Sequence, residues 1–198
     1  NLGMTDRLRP IHEQVATMIR DEVMPLDEEY LEEVNKGDRW EFTPRQSEIL
    51  EHLKGRAREQ GLWNLWLTDS DRGYGLTTVE YAYLAEEMGK AHIGAETFNC
   101  SAPDTGNMEV IERYGTQAQK DAWLTPLLEG QIRSAYLMTE PDVASSDATN
   151  ISMSCVRDGD EYVVNGQKIW TSLADVAAYG ILIARTDTEV GKLSLIHI

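Results

Sequence analysis

At Gly130 the hydrophobic rhythm of this chain changes. Before it, apolar residues recur at spacings of three and four, as in Leu8, Ile11, Val15, Met18 and Ile19, which is one face of an amphipathic helix. After it, Arg133–Met138, Ile151–Arg157, Glu161–Val164, Lys168–Leu173 and Tyr179–Arg185 read as short strands. Strands and helices bury different faces, so a chain that uses them in succession is expected to build two layers of structure in series. The expected fold is α+β. An all-α N-terminal domain over residues 1–130 is followed by a truncated antiparallel β-barrel-like middle domain over 131–192.

The helical half carries its own punctuation. Thr43-Pro44-Arg45-Gln46, Thr77-Thr78-Val79-Glu80 and Thr116-Gln117-Ala118-Gln119 each place a hydroxyl three residues before Glu or Gln, the pattern of a capping box. Pro25 is expected to end the first helix, and Thr125-Pro126 the last. A short helix over Leu26–Val34 with a solvated acidic face, and a buried stripe of Ile49, Leu50, Leu53 and Ala57 stopped by Gly61, complete this reading. In the second half, Asp158-Gly159-Asp160 and Asn165-Gly166 are hairpin turn signals, so the strands are expected to form an antiparallel meander.

Charge narrows the partners. The chain of 198 residues has 34 Asp and Glu against 18 Lys and Arg, a net charge of -16. That balance argues against nucleic acid, which needs clustered cations, and against anionic membranes. No apolar run approaches a membrane span. Cys100 and Cys155 are too few for a disulfide framework, which points to a reducing compartment and a soluble, intracellular protein. The four histidines, His12, His52, His92 and His197, show no metal-ligand spacing. There is no G-x-S-x-G elbow or Walker loop, and Gly73-Tyr74-Gly75 is too short for a dinucleotide fingerprint. Cys100 has no neighbouring base, and no acid is marked as a general base by its neighbours. Leu193–Ile198 resembles a translated library adapter and is expected to be a non-native tail, so the chain is expected to be a piece of a longer protein.

One stretch invites a ligand. Tyr136-Leu137-Met138-Thr139-Glu140-Pro141 ends a strand, and Asp142-Val143-Ala144-Ser145-Ser146-Asp147 follows with small and hydroxylated residues. Pro141 breaks the strand, and exposed amides and hydroxyls beyond it suit a phosphate-bearing cofactor, although most such loops only connect elements.

This stretch resembles the signature loop of the acyl-CoA dehydrogenase family. Asn165-Gly166-Gln167-Lys168-Ile169-Trp170-Thr171-Ser172 resembles the family's second flavin-contacting segment. Arg113–Lys120 and Trp123–Gly130 resemble the helices that lead into the signature. With Ala102-Pro103-Asp104-Thr105-Gly106-Asn107, the loop most resembles the branch that holds family members ten and eleven.

The resemblance implies FAD as cofactor, an acyl-CoA substrate and α,β-dehydrogenation with hydride passing to flavin N5. It further implies electron-transferring flavoprotein as acceptor and a homodimer or homotetramer. The expected location is cytoplasmic, or mitochondrial or peroxisomal in a eukaryote. Carried over residue by residue, Tyr136, Met138 and Thr139 line the flavin, Ser145 and Ser146 face the pyrophosphate or the thioester tail, and Trp170, Thr171 and Ser172 contact the isoalloxazine. The family's catalytic base belongs to a C-terminal domain outside this chain, so no catalytic residue is assigned and the chain alone is expected to be inactive. An oxygen-using acyl-CoA oxidase and a non-catalytic flavin- or acyl-CoA-binding protein are the alternatives.

Overall fold

The computed structural model describes residues 3–38, 40–67 and 72–187, and they divide between two compact units, 1–120 and 121–198. The expected tail at 193–198 lies outside the described residues. The first unit is helical: α1 (Arg9–Met18), α2 (Met24–Glu33), α3 (Pro44–Glu59), α4 (Thr78–Met88), α5 (Gly94–Thr97), α6 (Asp104–Tyr114) and α7 (Gln117–Gln119). Its core holds Val15, Met18, Ile49 and Leu53 of the stripes read from the sequence, together with Leu84, Met88, Phe98 and Met108, all buried. All three capping boxes form, with Thr43, Thr77 and Thr116 each accepting the backbone N–H three residues on. Asp27 of α2 accepts from the His92 and Ile93 amides at 3.0 Å each, which ties α2 to the start of α5.

Neither proline ends its helix. Ile19–Val23 forms a single π turn between α1 and α2, and Pro25 sits in the first turn of α2. The Met24 N–H reaches back to the Ile19 carbonyl, five residues away. The widened turn relieves the clash between the proline ring and the carbonyl four residues back, and the missing N–H costs nothing at a helix start. The same device recurs at Lys120–Leu124, a second π turn that leads into α8 (Thr125–Leu128) with Pro126 in its first turn.

The second unit holds α8 and four strands: β1 (Arg133–Leu137), β2 (Ser154–Asp158), β3 (Glu161–Asn165) and β4 (Ala177–Leu182). The expected meander does not form. β2 and β3 are an antiparallel hairpin closed at Asp158–Glu161, as the Asp-Gly signal required, with Gly159 at φ 62°. β1 instead pairs with β4 in parallel, Tyr136 opposite Ile181 and Leu137 opposite Leu182. Parallel strands need a long crossover, and here the intervening loop and hairpin provide it. Among the described residues the strands form two two-stranded sheets and no closed barrel.

Residues 168–173 are irregular rather than a strand. Asn165-Gly166 is not a hairpin turn. At Gly166, φ is 146°, and a Cβ there would lie 2.9 Å from the Met153 side chain, so glycine allows a close approach of backbone to core. The strand expected from Ile151 starts only at Ser154, because Ile151 and Met153 are buried in irregular chain and the Met153 carbonyl accepts from Arg185 N–H.

Candidate functional site

The end of β1 is locked to the segment before Trp170. The Thr139 carbonyl accepts the Ile169 N–H at 2.9 Å, and the Met138 carbonyl accepts from Lys168 Nζ at 2.8 Å. The same ammonium lies 2.9 Å from Glu140 Oε1, with the Lys168 and Glu140 side chains only 4% and 3% exposed. The two motifs read from the sequence, 28 residues apart at this pair, therefore form one site.

Glu140 is its hub. Beside Lys168, its carboxylate accepts from Ser152 N–H at 2.8 Å, Ser152 Oγ at 2.6 Å and Met153 N–H at 2.9 Å. Burial alone would push this carboxyl up. The hydrogen bonds from Ser152, Lys168 and the two amides outweigh burial and hold it at about 2. A carboxylate so fully engaged is an anchor and cannot serve as a proton-abstracting base near neutral pH. Sequence reasoning assigns no role to Glu140 or Lys168, although each stands inside one of the two motifs; that shared placement is the available signal.

The nominated residues divide by exposure. Tyr136 is 40% exposed on β1, with its hydroxyl raised above its ordinary value by burial. Met138 is half-buried and Thr139 exposed. Trp170 is 86% exposed and has a positive φ of 56°, while Thr171 is half-buried and Ser172 exposed at the start of the turn leading to β4.

Ser145 and Ser146 part company. The Ser145 hydroxyl is buried, accepts the Glu140 N–H at 2.6 Å and donates to the Val143 carbonyl at 3.2 Å. It closes the turn between Glu140 and Ser145. Ser146 is exposed. Asp147 accepts from Thr149 N–H at 3.0 Å and Thr149 Oγ1 at 2.7 Å, and so ends the loop in a single 3-10 turn.

The Trp170 indole is left almost wholly to solvent, and Thr139 and Ser172 are exposed as well; exposed aromatic and hydroxyl side chains are the chemistry that would suit a flat aromatic cofactor. Elsewhere, burial pushes the Cys100 thiol up to about 12, so it is neutral and a poor nucleophile. Among the described residues, no group of three or more His, Cys, Asp and Glu could hold a metal ion, and no helix is long and apolar enough to cross a membrane.

Comparison with known proteins bears on the family and the fold. The profile of the acyl-CoA dehydrogenase N-terminal domain matches residues 5–131, and that of the acyl-CoA dehydrogenase middle domain matches residues 135–198. Acyl-CoA dehydrogenase family member 10 of Mus musculus is 50% identical over 175 residues, covering 86% of this chain and 16% of its own length. Family member 11 of Homo sapiens is 44% identical over 185 residues, covering 91% of this chain and 23% of its own. A solved structure from Mycobacterium abscessus, assigned as an acyl-CoA dehydrogenase, superposes with a TM-score of 0.85 at 44% identity, over 95% of this chain and 48% of that one. The chain thus spans less than half the length of these relatives. With two consecutive domain profiles covering almost all of it and the fold shared at this level, the chain belongs to the acyl-CoA dehydrogenase family.

Proposed function

We propose that this chain supplies one wall of the flavin site of an FAD-dependent acyl-CoA dehydrogenase that removes hydrogens from the α and β carbons of an acyl-CoA thioester. The observation that carries the reading is the locked pair of segments, in which Thr139 is bonded to Ile169, the residue before Trp170. When bound, FAD would accept the substrate β-hydrogen as hydride. The residues of this chain bind and tune it. The exposed Trp170 indole offers a face for the isoalloxazine, and Tyr136 and Met138 offer apolar surface from β1. The Thr139 hydroxyl and the Thr171 and Ser172 groups offer donors where reduced flavin would gain negative charge. Ser146 takes the contact with pyrophosphate or thioester tail.

Glu140 is saturated and ionised and is not the base for the α-proton; by family resemblance that base lies outside this chain. This chain alone would then be inactive. The whole protein works as a homodimer or homotetramer, passes electrons to an electron-transferring flavoprotein, and resides in the cytoplasm, or in mitochondria or peroxisomes of a eukaryote.

The test is flavin absorbance and anaerobic reduction by an acyl-CoA in the whole protein. Thr139→Ala and Trp170→Ala should each weaken FAD retention or slow reduction by about tenfold or more. Unchanged absorbance and kinetics in both variants would overturn the reading.

A further inference from the structure

We propose that the Glu140–Lys168 ion pair is a positioning element that holds Trp170 in its solvent-facing conformation, so that the indole is oriented before any cofactor arrives. The inference rests on the flavin reading only for its consequence, not for its geometry.

Trp170 makes little use of packing, being 86% exposed, so its orientation has to come through the backbone. That backbone is at φ 56°, a conformation costly for a large side chain and kept only where neighbouring structure over-determines it. The determinant is the pair of residues just before it. Lys168 Nζ is shared between the Met138 carbonyl and Glu140 Oε1, and the Ile169 N–H is bonded to the Thr139 carbonyl. Three consecutive residues on one side are thus tied to two on the other, and Trp170 is the next residue along.

The anchor is itself fixed. Glu140 is held through its N–H by Ser145 and through its carboxylate by Ser152 and Met153, all independent of Lys168. Stability alone does not account for such a pair, because apolar residues of similar size commonly serve a buried site as well or better. What an ammonium adds is direction: it must sit where two acceptors converge, and that requirement sets the register of residues 168–170 against the strand end.

The test uses the whole protein labelled with 5-fluorotryptophan, with the Trp170 19F resonance assigned by Trp170→Phe. Lys168→Met and the near-isosteric Glu140→Gln are compared with Leu124→Ala, a buried position of the same unit outside the clamp. In the flavin-free protein, both clamp variants should shift or broaden the Trp170 resonance. The Leu124→Ala control should lower the melting temperature while leaving that resonance in place. FAD affinity should fall by about tenfold in the clamp variants and by less than about threefold in the control. The Glu140→Gln/Lys168→Met double variant should lose no more than the worse single variant, since both act on one contact.

A Trp170 resonance unchanged in both clamp variants would overturn the proposal, whatever FAD does. FAD affinity that follows melting temperature alike in clamp and control variants would overturn it as well. If instead the resonance moves in the clamp variants but Trp170→Ala and Thr139→Ala leave flavin binding intact, the positioning role stands and the flavin reading falls.

Discussion

Each unit has a glutamate buried among several donors, Glu80 in one and Glu140 in the other, and the two are built from opposite materials. Glu80, in the helical unit, accepts from Thr5 Oγ1 at 2.6 Å, from Arg7 Nε at 2.8 Å and from the Thr77 N–H at 2.9 Å. Glu140, in the β unit, accepts from Lys168, Ser152 and Met153. Both carboxyls lie below the usual range, Glu80 chiefly through the Arg7 guanidinium and the Thr5 hydroxyl, Glu140 against the opposing effect of its own burial.

The partners' exposure separates them: Arg7 is 57% exposed and Lys168 only 4%. Half of the Glu80 arrangement is a local helix cap whose cation faces water. The Glu140 arrangement is closed to solvent and joins distant segments. An acid can thus be equally buried and equally ionised while serving two different ends, one finishing a helix and the other shaping a site.

The largest effect should come from stranding the closed pair. Lys168→Met should cost roughly 3 kcal/mol in chemical denaturation followed by near-ultraviolet dichroism, because the carboxylate stays buried with one donor fewer. A loss below that of an ordinary surface substitution would remove the distinction between the two acids.

The pH dependence comes next. The Glu140 carboxyl sits at about 2 against an ordinary 4.5, so its contribution is complete above pH 4.5 and is lost as pH falls towards 2. Over that window the parent should lose up to roughly 3 kcal/mol that Glu140→Gln does not, so their stabilities should converge on acidification. Parallel pH profiles for the two proteins would contradict this.

Thr77→Ala should cost about 1 kcal/mol, the ordinary worth of a helix cap, seen as faster amide exchange in the first turn of α4. Arg7→Met should cost less than Lys168→Met, and its loss should shrink as salt is added, since the guanidinium is exposed to screening. A loss that ignored ionic strength would place Arg7 with Lys168 rather than opposite it.

How far the sequence could be read follows the same division. The capping boxes, the buried stripe of α3 and the Asp-Gly hairpin are set by residues within a few positions of one another, and all three formed. Pro25 and Pro126 were misread as stops because a π turn can absorb a proline, and that choice depends on which face the continuing helix buries. The β1–β4 pairing was missed for a related reason. Period-two alternation marks a strand but says nothing of its partner or direction, and a parallel partner is necessarily far away in sequence. In the site, motif resemblance names the candidate contacts, whereas nothing local to Glu140 or Lys168 marks them as a pair, because the two meet only across 28 residues of chain.

The sequence by itself determined the order of the two halves, the starts of three helices and the family, since each rests on local pattern or on motif order. Only the tertiary structure decided that Ser145 turns inward, that β1 meets β4 in parallel, and that Glu140 and Lys168 pair out of solvent. Those outcomes depend on which distant groups meet and on how much water they exclude. An isolated acid or base in a sequence carries no trace of either until the chain has packed.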